Sequence, residues 1–203
     1  MTRRAAAGPG EPPLPARGLA VDRWQGAMSA ALGSREALGV AVFSPDRVHR
    51  YWLCRRWDGA SDACSALFIM LNPSTADARV LDPTVTRCMS WAMRRGLPGC
   101  EVCNVFALRS TDPAGLRKSA DPVGPANDAW IAAAASRARA GGAPVVVAWG
   151  NHASFLGRDA AVRTLLAGVR GLTPLCLGLT GAGQPRHPLY VPSARAAEDF
   201  LLS

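Results

Sequence analysis

Four apolar runs punctuate the chain: Ala66 to Leu71, Val102 to Phe106, Pro144 to Trp149 and Leu175 to Leu179. Each empties at or near its C-terminal end into a polar signature. In order these are Asn72-Pro73-Ser74-Thr75-Ala76-Asp77, Asn104-Val105-Phe106, Trp149-Gly150-Asn151-His152 and, after a short loop, Arg186-His187-Pro188-Leu189. The runs read as core strands. The segments between them carry helical periodicity. Asp82-Pro83 supplies an N-cap acid and a proline at the first helical position, Gly96 can end that helix, and Val85, Cys88, Met89 and Ala92 share its inner face. A second helix is predicted from about Pro125 through Arg139, with Trp130, Ile131 and Ala134 inward and Gly141-Gly142 as terminator. A third covers about Ala153 to Gly168, and Ser193 can cap a last one ending at Leu202.

Upstream, a weak helical pattern runs from about Trp24 to Ala37. Val40 to Phe43 and His49 to Trp57 look like strands closing on a turn at Ser44-Pro45-Asp46. In the second of these, Tyr51, Leu53, Arg55 and Trp57 alternate with Trp52, Cys54 and Arg56, which suggests a hairpin at the edge of the sheet, antiparallel to its neighbour. Strand and helix thus alternate, and right-handed crossovers turn that order into a parallel sheet between helices. The expected fold is α/β, a three-layer α/β/α arrangement with a four-stranded, mostly parallel sheet and an N-terminal edge hairpin. Residues 1–20, with Gly8-Pro9-Gly10 and Pro12-Pro13, lack a core period and read as a flexible tail; 21–203 read as one α/β domain.

Composition changes this picture little. The 203 residues carry a formal charge of +8, which permits a polyanionic partner. Lys118 is the only lysine, however, and an Ala, Gly, Arg and Pro excess also follows from a GC-rich coding bias. No window approaches a membrane span and no secretory core is visible, so the expectation is a cytoplasmic monomer with no membrane partner. Cys100 and Cys103 form a C-x-x-C, but three residues apart on a strand point to opposite faces, and there is no second pair. Neither a metal site nor a cofactor is expected.

Open parallel sheets place their ligand crevice outside the carboxyl ends of the strands, where the four signatures converge. Pro73 forces Asn72 into an extended conformation, so the chain leaves the strand abruptly with a carboxamide in the crevice. That group can orient a water or read a heterocycle edge, but it is not a base; Asp77 or Asp82 is the better proton acceptor. The same residues can equally form a turn that satisfies backbone groups. Asn104 interrupts an apolar strand and reads either as a base-recognition group or as a partner for a loop backbone. Arg109 can hold a phosphate or pair Asp112. Gly150 allows close approach of backbone to ligand beside a helix start, with Asn151 or His152 as ordinary caps. His187, between Arg186 and Pro188, is placed to donate a hydrogen bond to an oxygen that becomes negative during bond cleavage.

The stretches Arg50-Tyr51-Trp52-Leu53, Leu67 through Asp77, Asp82-Pro83-Thr84-Val85, Asp121 through Asp128 and Gly183 through Tyr190 resemble the bacterial and phage proteins of domain-of-unknown-function family 1643. The strand endings are also similar, more loosely, to those of the uracil-DNA glycosylase superfamily. That second resemblance implies Asn72 in the place of the water-positioning asparagine, with Pro73 and Ser74 completing its motif. It implies Asn104 as base reader, Trp149 and Gly150 in the third-strand motif, and His187 as the group steadying the departing base. Met70 stands where that superfamily has glycine, no aromatic stacking position follows Ser74, and Leu189 replaces a serine, so the base is left open. The cysteines do not match the iron–sulfur spacing of the thermostable branch.

The function expected from these residues is N-glycosylase-like hydrolysis of the base–sugar bond of a base in nucleic acid or nucleotide. The catalytic candidates are Asn72, Asp77 and His187; the substrate-binding candidates are Pro73, Ser74, Asn104, Arg109, Trp149, Gly150 and Arg186. A lyase step needs an amine, and with Lys118 alone in a loop a monofunctional enzyme is expected. Two alternatives stand beside it: a nucleotide- or nucleic-acid-binding module without turnover, and a metal-dependent hydrolase built on Asp77, Asp82 and His187.

Overall fold

A computed structural model describes residues 19–28, 35–57 and 65–202. Its strands are β1 (Ala20–Met28), β2 (Arg35–Phe43), β3 (Arg50–Arg56), β4 (Ala66–Met70), β5 (Gly99–Asn104), β6 (Val145–Ala148), β7 (Leu175–Cys176) and β8 (Glu198–Asp199). The helices are α1 (Pro83–Met93), α2 (Asn127–Ala140) and α3 (Arg158–Ala167). The strands form one mixed sheet in the order β1-β2-β3-β5-β4-β6-β7-β8. β4 pairs in parallel with β5 and β6, and β6 with β7, whereas β3 runs antiparallel to β5 and β8 antiparallel to β7. The sheet is therefore eight-stranded and mixed rather than four-stranded, because antiparallel strands extend it at both edges.

β4 is buried on both faces, as its unbroken apolar sequence requires. Leu67 and Ile69 enter one core cluster with Trp130, Ile131 and Ala134 of α2 and Val162 and Leu166 of α3. Phe68 and Met70 enter a second with Val85, Cys88, Met89 and Ala92 of α1. Cys103 belongs to the first cluster and Cys100 to the second, on opposite faces as their spacing predicts. The start of α1 also follows its sequence signal: the Val85 amide donates to the Asp82 carboxylate at 2.7 Å, and Pro83 fills the first turn. β2 and β3 make the expected antiparallel pair, with the Ser44 hydroxyl bonded to Asp46 at 2.6 Å in the turn.

Three expected helical segments are corrected. Of the segment expected as a helix from Trp24 to Ala37, the described residues 24–28 and 35–37 belong to β1 and β2, which pair antiparallel from Ala20 opposite Phe43 to Met28 opposite Arg35. Gly26 weakens a helix there, and pairing between the two strands overrides the faint helical period. The third helix starts at Arg158, not Ala153, because Leu156 at φ 55° and Gly157 at φ 62° break the helical path at the end of the 3-10 segment Asn151–Gly157. The last segment, Ser193 to Leu202, supplies β8 instead of a helix. There the Phe200 amide donates to the Pro174 carbonyl at 2.8 Å, and its ring meets Trp149 edge-on. The expected tail lies outside the described residues up to residue 18. Among the described residues no helix is long and apolar enough to cross a membrane.

Candidate functional site

The C-terminal ends of β4 and β6 and the loops after β5 and β7 enclose a cavity of about 530 Å3. β4 delivers Leu71, Asn72 and Ser74 to it; the chain after β6 delivers Trp149, Gly150, Asn151 and His152. Arg186, His187 and Tyr190 come from the last loop, and Ser110, Thr111, Thr84 and Thr180 complete the wall. Among the described residues that line it, none is Asp or Glu. The cavity is thus suited to a neutral or anionic ligand.

Asn72 is the best-anchored side chain of this wall. Its amide nitrogen donates to the Ser110 carbonyl at 2.8 Å and to the Pro73 carbonyl at 3.1 Å. Turning the amide over would set its oxygen against two carbonyl oxygens, so the orientation is fixed, leaving Oδ1 as the acceptor. The Ser110 amide in turn donates to the Pro73 carbonyl at 2.8 Å, which ties the two loops together.

Two buried arginines hold the rest of the β4 loop. Arg50 donates from Nη1 to the Ala76 carbonyl at 2.7 Å and from Nη2 to Oδ1 of Asn104 at 3.2 Å. Burial brings its guanidinium down to about 10, with Asp82 opposing the shift, so it remains a cation at neutral pH. Arg55 donates to the Asp77 carbonyl, and to the Val80 carbonyl at 3.2 Å. Carbonyls of one loop therefore solvate two guanidinium groups in the interior, which is how a buried charge avoids an uncompensated desolvation cost.

His187 stands on the opposite wall at the head of a 3-10 turn, Pro188–Tyr190. Its Nδ1 accepts from the Leu189 amide at 3.4 Å, which leaves Nε2 to carry the proton and act as donor. Burial holds the imidazole below its ordinary 6.5, against an upward pull from Asp82, so the ring is neutral at pH 7. Trp149 is fixed by Nε1 donating to Gln184 at 2.8 Å, and Gln184 donates onward to Asp159 at 2.6 Å. Gly150 has φ 70° and its amide bonds the Pro185 carbonyl at 2.8 Å. Nothing stands within 4 Å of where a Cβ would point, so it is the left-handed backbone that calls for glycine.

The structure brings Asn72, Ser74, Trp149, Gly150, Arg186 and His187 to one cavity. It leaves four expected site residues off that wall. Asp77 accepts at 2.8 Å from each of the Arg79 and Val80 amides, closing its own turn. Burial alone would raise its carboxyl; those two bonds, with Arg55 and Arg109 nearby, hold it below the ordinary value. Pro73 is buried behind Asn72. Asn104 is 1 % exposed and committed to Arg50. Arg109 lines a neighbouring pocket instead, and it makes no pair with Asp112, which caps the Pro113–Lys118 turn at the Ala114 amide. Asn151 caps no helix; its Oδ1 accepts from the Thr180 hydroxyl at 2.7 Å, and Gly150 holds the cap position. Because α3 begins only at Arg158, no α-helix starts beside Gly150. Among the described residues no three His, Cys, Asp or Glu side chains gather to hold a metal ion, so Asp77, Asp82 and His187 form no such cluster.

Thr84, Thr111, Thr180 and Tyr190 line the cavity without having been expected as site residues, and His152, expected only as a cap, lines it too. Thr84 and Tyr190 lie within stretches that carry the family resemblance and Thr111 stands two residues after Arg109, whereas Thr180 carries no local signal.

No curated protein and no solved structure matches the chain. A family model described as "Protein of unknown function (DUF1643)" matches residues 50–189. That span runs from the buried Arg50 to Leu189 beside the cavity and covers more than half of the chain, which therefore belongs to the DUF1643 family.

Proposed function

We propose that this cavity belongs to a monofunctional, N-glycosylase-like hydrolase that cleaves the base–sugar bond of a base in nucleic acid or a nucleotide. The observation that carries the reading is the pairing of two preset groups on one cavity: the Asn72 carboxamide, its nitrogen spent on Ser110 and Pro73, and the neutral His187, its Nδ1 spent on Leu189. One offers an acceptor for a water hydrogen and the other a donor for a leaving group.

In this scheme the glycosidic C–N bond breaks with its electron pair passing to the base, which accepts a hydrogen bond from Nε2 of His187. Water held at Oδ1 of Asn72 adds its oxygen to the cationic sugar carbon, and the proton it releases ends on the base. A free base and a sugar hydroxyl result. Asp77, tied into its turn, and Asn104, behind the wall, take no direct part; Arg50, Arg55 and Asn104 act as positioning residues for the β4 loop. The placement of α1 against one core cluster and of α2 and α3 against the other supports the three-layer reading of the fold.

The test is mass-spectrometric detection of free base released from DNAs carrying uracil, mismatches and modified cytosines, with His187→Ala beside the native chain. Release that drops about 100-fold in the variant supports the reading. Binding without release would instead favour a nucleotide-binding module, a reading supported by the lack of a carboxylate on the cavity wall.

A further inference from the structure

Beside the cavity lies a second, open pocket of about 670 Å3. Arg47, Val48, Thr75 and Arg109 line it, together with Ser74, Ser110 and Thr111, and these last three also line the first cavity. The shared residues make the two one continuous groove. Its second half carries two guanidinium groups and four side-chain hydroxyls, and among the described lining residues no carboxylate.

The two arginines are presented side by side over one buried ring. The Arg47 guanidinium carbon lies 4.4 Å from the centroid of Phe43 and that of Arg109 5.2 Å from it. These contacts with the ring restrain both guanidinium groups before anything binds, which lowers the ordering cost of recognising an anion. Arg47 is paired with Asp22 at 2.5 Å; Arg109 has no carboxylate within ion-pairing distance among the described residues. The single hydrogen bond of its side chain among the described residues is a long one, 3.4 Å, to the Arg47 carbonyl, and its Nε is buried with no partner. Arg47 also holds a left-handed backbone at φ 62°, uncommon for a residue with a Cβ. A cation prearranged in this way, short of partners and ringed by hydroxyls, matches a phosphate group.

We propose that the pocket between Arg47, Thr75 and Arg109 is a phosphate subsite, so that the molecule occupying the groove is a sugar phosphate unit of a strand or nucleotide rather than a free nucleoside. The inference rests on the proposed function for what fills the adjoining cavity. Phosphate recognition itself does not require that base cleavage occurs there.

The test uses probes that carry phosphate and no base: a fluorescent oligomer of tetrahydrofuran abasic units, representing a strand, and deoxyribose 5-phosphate, representing a nucleotide. Binding is followed for the native chain, Arg109→Gln, Thr75→Glu and the control Arg170→Gln, an exposed arginine before β7 at the other end of the sheet. Thr75 is exposed, so Thr75→Glu adds a repelling charge without disturbing the core and keeps the test decisive if Arg109→Gln folds poorly. The expected result is a loss of about tenfold in affinity for at least one probe in both groove variants, with a salt dependence shallower by about one unit in Arg109→Gln and no change in Arg170→Gln. Which probe responds tells strand from mononucleotide. Equal affinity in all four proteins for both probes would overturn the subsite. Because neither probe has a base, failure of base release in the glycosylase assay and failure of this binding are separate results.

Discussion

The two walls of the cavity are built on different physics. The β4 wall is cross-linked from behind: Arg50 and Arg55 reach the carbonyls of Ala76, Asp77 and Val80, and Asn72 clamps Ser110. The opposite wall, the loop from Thr180 to Tyr190, is held from the side by Trp149, Asn151 and Asp159 through Gln184 and Thr180 and otherwise by backbone bonds within its own turns. Thr180 and Gln184 pair across the turn at 2.8 Å, Arg186 bonds the Gly178 carbonyl at 2.9 Å, and Leu189 and Tyr190 stand 43 % and 79 % exposed. A wall solvated by buried guanidinium groups fixes an amide in one orientation; a wall of surface turns can admit and release a ligand. Catalytic positioning calls for the first and exchange for the second.

The largest effect should come from the fixed wall. Arg50→Met removes the donor shared by Asn104 and Ala76 and strands both acceptors in the interior; a loss of about 2–4 kcal/mol is expected in urea unfolding. An unchanged midpoint would mean the β4 loop is held otherwise. A smaller effect is expected from His187. Its folded state binds the proton less readily than the unfolded chain, so the contribution to stability is complete above the unfolded value of 6.5 and is lost as the pH falls through the depressed folded value. Urea midpoints taken from pH 7.5 down to 5.5 should decline more steeply for the native chain than for His187→Gln; parallel declines would contradict the burial of this ring. The smallest belongs to the exposed face of the second wall: Tyr190→Ala should shift stability by no more than about 0.5 kcal/mol, since little of the side chain is removed from water. A larger loss in thermal unfolding would show that this wall, too, is braced.

The same contrast explains what the sequence disclosed. Long-range features with strong local marks were legible: four apolar runs became β4, β5, β6 and β7, and Asp82-Pro83 opened α1. Segments whose state depends on distant pairing were not. β1 forms against β2, β8 is two residues against β7, and the delayed start of α3 turns on a left-handed Leu156 that no spacing rule announces. At the site, strand-end polarity located Asn72, Trp149, Gly150 and His187 on one cavity. It also drew in Asn104, which differs from Asn72 by a small shift in register. Asn104 is the last residue of β5 and pairs with Met70, still inside the sheet, whereas Asn72 lies past the end of β4. Asp77 lies off the cavity wall for another reason: a carboxylate two or three residues before free amides closes a turn at least as readily as it serves a substrate.

The most direct measurement is single-turnover release of free base by Asn72→Ala beside the native chain, on the substrate that the base-release panel identifies, with thermal unfolding of both as the check on folding. The expected result is a fall of about 100-fold or more in rate while the variant stays folded. Release at the native rate from a folded Asn72→Ala would contradict the role given to the fixed amide, and with it the reading of this cavity as a hydrolytic site.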